Sequence, residues 1–234
     1  YGGIVTWGIG AGACVAPKIS QREKWRESGG DMLWWVVIPG IVGARLYHVI
    51  DWWWFYKDNL TLIPAVWTGG LGIYGGIGGG VIGLWWAKRQ KQDLTRWLDV
   101  VAVGVPLGQA IGRWGNWFNQ ELYGRPTNLP WAIYIKAENN YFHPLFLYES
   151  AWNLMVFALV WRLSQSQKRL AVGTIFAVYL AGYGMGRLML ESLRIESWKI
   201  SGIDVAQTIS LMAVVLSLLF IWISNRKQLS FRRR

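Results

Sequence analysis

Apolar residues along this 234-residue chain gather in blocks of about twenty instead of recurring at the three-and-four spacing of a half-buried helix. Seven such blocks stand out, at residues 1–17, 32–54, 65–87, 97–118, 144–163, 171–190 and 204–224. A helix rises 1.5 Å per residue and a hydrocarbon core is about 30 Å thick, so blocks of this length match a membrane crossing. The pattern predicts an all-α polytopic membrane protein, one domain over residues 1–234 with seven transmembrane helices. Cys14, the one cysteine, lies in the first block and reads as a small packing residue. The chain starts at Tyr1, without Met and with a short first block, so some natural sequence is expected ahead of it.

The connections alternate in character. "KISQREKWRE" (18–27) holds four Lys or Arg, "KRQKQ" (88–92) three, "QSQKR" (165–169) two and the tail "NRKQLSFRRR" (225–234) five. The loops near 55–64, 119–143 and 191–203 carry fewer positive charges for their length. By the positive-inside rule the first set is cytoplasmic, which places the N-terminus outside and the C-terminus inside. An odd number of spans requires opposite ends, so count and charge agree. "DWWWFY" (51–56) closes the second block with rings suited to the headgroup layer. Loop 119–143, with the turn-prone "GRPTNLPW", is expected to form a small extracytoplasmic cap.

Composition supports the class and adds one device. The chain is 53% apolar and 16% charged, with 18 Trp and 28 Gly; its net charge of +11 sits in short clusters between apolar blocks, with no continuous stripe for nucleic acid. "GGLGIYGGIGGGVIG" (69–83) holds nine glycines, with Gly72, Gly76 and Gly80 in one row and Gly75, Gly79 and Gly83 in another. Gly104, Gly108 and Gly112 repeat the spacing in the fourth block. Such rows let helix backbones approach closely, and the first would also suit a broken helix buried in protein.

Against this background the ionised groups are costly. One charge near a bilayer centre costs roughly 2.5–3.5 kcal/mol on insertion scales. With the orientation above, Arg45 and His48 fall in the outer half of the second segment, and Tyr74 about a third of the way down the third. Arg113 and Asn116 lie near the outer end of the fourth, followed by Asn119 and Glu121. Tyr183, Arg187 and Glu191 reach the same level on the sixth, and Tyr1 and His143 end the first and fifth. Arg113, Asn116 and Gln120 are spaced to share a helix face, as are Tyr183, Arg187, Glu191 and Arg194, with Arg187 and Glu191 able to pair. The plain alternative is that each arginine meets an intramembrane carboxylate or snorkels to the interface. Two planar guanidiniums facing an apolar pocket suit a phosphate, and at outer-leaflet depth the phosphate carrier is an anionic phospholipid.

These residues carry a family resemblance. "GRWGNWFNQELYG" (112–124) resembles the signature Gly-Arg-x-Gly-Asn-x-x-Asn-x-Glu-x-x-Gly of prolipoprotein diacylglyceryl transferases. "HPLFLYES" (143–150) is similar to the family's His-Pro-x-x-Leu-Tyr-Glu motif, and "GRLMLESLR" (186–194) to its Gly-Arg-x-x-x-Glu element. "GARLYHV" (43–49) and the opening "YG" fit as well. The resemblance implies a seven-helix enzyme of the bacterial plasma (inner) membrane, with its active site toward the extracytoplasmic leaflet. It would transfer the diacylglyceryl group of phosphatidylglycerol to the lipobox cysteine of a prolipoprotein and release glycerol phosphate, with no cofactor.

On that reading the catalytic set is Arg113, Arg187, Tyr74 and Glu121. Arg113, Asn116, Asn119, Gly124, Glu191, Tyr1, His143 and Arg45 bind substrate. Arg113 and Arg187 hold the phosphodiester; Asn116 and Asn119 orient the glycerol hydroxyls or brace the arginines. Glu121 accepts from the headgroup or, preferably, fixes an arginine. Tyr74 stands where many relatives carry a histidine proposed as base. A phenol's reference pKa is near 10, so Tyr74 is either a headgroup donor or a base activated by an arginine, and His143 is the remaining base candidate. The sequence has no His-Glu-x-x-His pair, so no metal site is expected, and no Gly-x-Ser-x-Gly elbow. The rival from another class, an anion or lipid transporter, would place polar groups along the whole crossing, yet the inner halves are nearly bare.

Overall fold

A computed structural model describes residues 10, 29–89, 93–166, 170–195, 199–200 and 203–232. The first apolar block and Tyr1 lie outside the described residues, Gly10 excepted. The described chain is overwhelmingly helical. Its long helices are α1 (Gly29–Asp51), α2 (Ile73–Arg89), α3 (Leu94–Phe118), α4 (Leu145–Ser164), α5 (Thr174–Glu191) and α6 (Val205–Arg232). Two small antiparallel pairs complete it: β1 (Ile133–Ile135) with β2 (Asn140–Phe142), and β3 (Lys199–Ile200) with β4 (Ile203–Asp204). The chain forms two compact units, divided after Trp97, within α3.

In the first unit α2 lies along α1. A Cβ added at Gly75, Gly79 or Gly83 would overlap the backbone of Gly43, Pro39 or Trp35 respectively. This row is the contact seam: glycines allow two helix backbones to touch where any side chain would hold them apart. The other row is looser, since a Cβ at Gly76 or Gly80 would meet Ala44 at 3.5 Å or Val36 at 3.9 Å. The seam keeps α2 continuous from Ile73, so the glycines serve packing and not a break in the helix.

The third apolar block nevertheless begins later than its composition predicts. Residues 65–72 are not helical: Val66–Thr68 is a single 3-10 turn, and Gly69 and Gly70 take φ of 91° and 71°. Arg45 explains the departure. Its side chain donates to the carbonyl oxygens of Leu62, Ile63, Gly69 and Gly70, and that collar requires a looped backbone.

In the second unit α5 packs against α4 and α6. A Cβ at Gly184 would approach Ser210 O at 2.9 Å, which marks the tight α5–α6 crossing. Asp99 of α3 accepts from the backbone N–H of Gly173 at 2.6 Å and of Phe176 at 2.8 Å. A carboxylate there meets unpaired amides and the positive end of the α5 dipole. Loop 119–143 folds into the β1–β2 hairpin, with Ile135 and Phe142 turned inward and buried. Isolated bridges extend it: Pro126 pairs with Phe142, and Gly124 pairs with Arg194 beyond α5.

By length and hydropathy one described helix qualifies as a span, over Val205–Arg226. Its apolar side chains are largely uncovered, with Leu216 63% and Val215 54% exposed. The seam yields a test. Gly79→Ala should destabilise the protein by about 1–3 kcal/mol, the range for overpacking. Gly78, whose added Cβ would meet nothing within 4 Å, should tolerate alanine. Thermal unfolding of both variants in detergent measures the difference.

Candidate active site

The costly residues of the second unit converge on Glu149, on the second turn of α4. Its Oε2 lies 2.7 Å from Arg113 Nε. Its Oε1 accepts a hydrogen bond from Arg194 Nη2 at 3.0 Å and stands 3.9 Å from Arg187 Nη1. Glu191, one turn after Arg187 on α5, adds a second carboxylate: its Oε2 is 2.8 Å from Arg187 Nη2 and 3.5 Å from Arg194 Nε. No N–H among the described residues is aligned on that oxygen, so these are coulombic contacts and not directed hydrogen bonds. Three guanidiniums and two carboxylates leave one surplus positive charge.

Burial makes the arrangement consequential. The Glu149 and Glu191 side chains are 8% and 3% exposed, whereas Arg113 and Arg187 retain 23% and 19%. Arg113, Arg187 and Glu149 together line a narrow cleft of about 20 Å³. Trp152, Asn153, Tyr183 and Gly186 also line it. A Cβ at Gly186 would overlap the Trp152 indole, and Trp152 Nε1 donates to Gly182 O at 2.8 Å. The indole thus meets α5 by its pyrrole edge, at Gly182 and Gly186. On the α3 side, Ser150 Oγ accepts from Trp114 Nε1 at 3.2 Å and donates to Ala110 O at 2.9 Å, stitching the turns that carry Arg113 and Glu149.

The signature segment continues past α3 with a different chemistry. Glu121 Oε1 accepts from Asn116 Nδ2 at 3.0 Å and from Asn119 Nδ2 at 3.3 Å. Its recorded partners are thus two amides, and the expected grip on an arginine belongs instead to Glu149 and Glu191. Gln120 leaves the predicted Arg113–Asn116 face because α3 ends at Phe118 and Gln120 takes φ 51°. Its side chain turns to the hairpin, donating to Tyr134 O at 3.4 Å and accepting from Lys136 N at 3.2 Å.

Gly124 and His143 meet through backbone: Gly124 N donates to His143 O at 2.9 Å, and His143 N to Arg125 O at 3.1 Å. A Cβ on Gly124 would stand 2.7 Å from His143 Cβ, so glycine is what lets the two strands close. His143 Nδ1 lies 3.3 Å from Tyr148 Oη, which accepts from Trp131 Nε1 at 2.7 Å. An indole only donates, so the phenol proton is available to Nδ1.

Arg45 and Tyr74 belong to the first unit. Arg45 is 5% exposed and commits its donors to the four carbonyls described above, with its guanidinium 5.2 Å from the Tyr56 ring centroid. It acts as a loop brace and presents no free fork. Tyr74 is 67% exposed, its ring tilted on Tyr47 at 5.9 Å.

Glu149 and Tyr148 are the residues that sequence reasoning left without a role, although both stand in "HPLFLYES". The available signal was energetic: a carboxylate at the start of an apolar block needs cations, and the arginines needed anions.

A helical protein with a part-buried, net-positive arginine–carboxylate centre at its helix ends is of the class that handles anionic groups. Comparison with known proteins makes the class specific. The family model of prolipoprotein diacylglyceryl transferase matches residues 1–223. A phosphatidylglycerol–prolipoprotein diacylglyceryl transferase of Trichormus variabilis is 41% identical, over 97% of this chain and 86% of the relative. Proteins of the same name from Gloeobacter violaceus and Synechocystis are 39% and 42% identical, over 97% and 92% of this chain and 88% and 81% of theirs. The chain belongs to the prolipoprotein diacylglyceryl transferase family, a membrane-associated family of transferases.

The geometry predicts unequal costs for two conservative changes. Glu149→Gln leaves buried arginines without their shared anion and should destabilise by about 3–5 kcal/mol. Glu121→Gln keeps an acceptor oxygen for the two asparagines and should cost about 1 kcal/mol or less. Thermal unfolding in detergent reads both.

Proposed function

We propose that this chain transfers the sn-1,2-diacylglyceryl group of phosphatidylglycerol to the lipobox cysteine thiol of prolipoproteins, the first step of bacterial lipoprotein maturation. One observation carries the reading: Arg113 and Arg187, from two different helices, flank the same cleft and the same carboxylate. The setting we propose is the bacterial plasma membrane, with seven spans, the N-terminus outside, the C-terminus cytoplasmic and the cleft at extracytoplasmic depth. The charge pattern of the loops and the uncovered apolar faces of the helices support it.

The phosphodiester lies against Arg113 and Arg187, and its single negative charge matches the surplus positive charge of the cluster. The thiol loses its proton, and the thiolate sulfur attacks the glyceryl carbon bonded to the phosphate oxygen. The carbon–oxygen bond breaks, its electron pair stays on the phosphate, and glycerol phosphate departs with one more negative charge than the diester carried. Fixed guanidiniums stabilise that growing charge, and Glu149 and Glu191 hold them in place beforehand. Asn116, Asn119 and Glu121 form an amide–carboxylate group suited to the glycerol hydroxyls of the headgroup. Tyr74, a weak base as a phenol, is assigned to donating a hydrogen bond to lipid. The proton leaves by ionisation of the thiol itself, a few per cent of which is thiolate near neutrality.

Arg113→Ala and Arg187→Ala should each lower kcat by about a hundredfold to a thousandfold. Arg113→Lys should not restore it, because an ammonium replaces the planar fork with a point charge. Purified protein, phosphatidylglycerol and a lipobox peptide supply the assay: the peptide gains the diacylglyceryl mass and glycerol phosphate is released. Full turnover by Arg113→Ala would sink the scheme. Rates should also rise with pH as the thiol ionises, with the same profile in Tyr74→Phe. A basic limb lost in that variant would instead make the phenol the proton acceptor.

A further inference from the structure

Beyond the helix ends lies a second cavity of about 390 Å³, lined by Gln120, Glu121, Leu122, Tyr123, Glu138 and Arg194. It lies within the range of built ligand sites, about 300–1,000 Å³. Arg194 also donates to Glu149, which lines the cleft, so a single ion pair links the cavity to the cleft.

Its walls favour hydrogen-bond donors. Glu121 commits Oε1 to two asparagines, and Glu138 commits Oε1 to the Tyr123 hydroxyl at 3.0 Å. Each retains a second carboxylate oxygen. Arg194 is engaged by Glu149 and Glu191, so the open polar atoms of the wall are carboxylate oxygens set beside Leu122 and Ile195. Its backbone is unusual too. Gln120 and Leu122 both take positive φ, 51° and 54°, a conformation that non-glycine residues seldom adopt and that concentrates at functional sites. The cavity is made by loop 119–143 and the chain after α5, with Leu122 and Ile195 beside the carboxylates, so it suits an extended chain that carries both polar and apolar groups.

We infer that this cavity binds the few residues that follow the acceptor cysteine in the polypeptide substrate, and that Glu138 makes it prefer a basic side chain there over an acidic one. The inference rests on the transferase reading above for which chain arrives, but its chemistry is separately measurable. Main-chain N–H groups and a basic side chain satisfy the free carboxylate oxygens, while the cysteine reaches toward the cleft at Glu149, to which Arg194 is bonded.

The test uses the full chain in detergent and three fluorescent lipobox peptides, carrying lysine, serine or glutamate at the positions after the cysteine. Anisotropy gives Kd, and transfer with phosphatidylglycerol gives KM. The lysine peptide should bind about fivefold or more tightly than the glutamate peptide, with serine between, and the gap should narrow at high salt. Glu138→Lys should reverse the order, and Glu138→Gln should abolish it. Neither variant should change KM for phosphatidylglycerol. Circular dichroism verifies folding, and the reversal itself excludes a merely damaged protein. Equal affinities for the three peptides, an order unmoved by Glu138→Lys, or a change confined to the lipid KM would each overturn the proposal. If the wild type binds the peptides in the expected order but never transfers lipid, the transferase reading fails and the peptide site stands.

Discussion

One carboxylate shared among several guanidiniums is the constraint around which the second unit is arranged. Arg113, Arg187 and Arg194 carry like charge and come from three places in the chain, yet all stand within 3.9 Å of Glu149. Without an anion between them that proximity would be strongly unfavourable, and in a low-dielectric setting screening is weak. Each partner thus needs the others. The cleft, its surplus charge and the α3–α4–α5 geometry form one interdependent object.

The scaffold delivers this object by pinning the helices at both ends. Asp99 caps α5 from α3, far along the chain from the cluster, and so fixes how those helices start. At the other end, the stitch from Ser150 to Ala110 and Trp114 sets α3 against α4 within a turn of the ionic contacts. The loop after α3 then closes over the helix termini through backbone pairing of Gly124 with both His143 and Arg194. Gly124 therefore belongs to the signature because of a strand–strand approach that any side chain would obstruct. Tyr148, next to Glu149, ties the same layer to α4 through Trp131 and His143. Cap and charged centre are one construction.

How legible this was from sequence depends on how local the cause is. Apolar block length reports helices directly, and blocks 97–118, 144–163 and 171–190 correspond closely to α3, α4 and α5. Where a distant residue intervenes, the block misleads: 65–72 is apolar, but Arg45 draws it into a collar of carbonyls. Helical spacing placed Gln120 beside Arg113 because periodicity does not announce that α3 stops two residues earlier. The part of the site most poorly visible was its anions. Glu121 looked like the arginine's partner because both lie in one motif, whereas Glu149 comes from a block 36 positions beyond Arg113. Nothing in local pattern connects them; only the folded distance does.

The value of the surplus charge follows from what the proposed reaction does to charge. Three arginines without carboxylates would hold a diester firmly, but would hold the more highly charged glycerol phosphate more firmly still, and product would block the cleft. A neutral cluster would do little for charge growing on the departing oxygen. With Glu149 and Glu191 in place, one net positive charge balances the bound diester and is exceeded by the product. The guanidinium N–H groups still act on the leaving oxygen at short range, where transition-state charge develops. Once the product has formed, its second charge meets carboxylates that resist it. On the proposed reaction, the same two glutamates that hold the arginines would also limit how tightly the product is held, which would link the stability of the cluster to the release of glycerol phosphate.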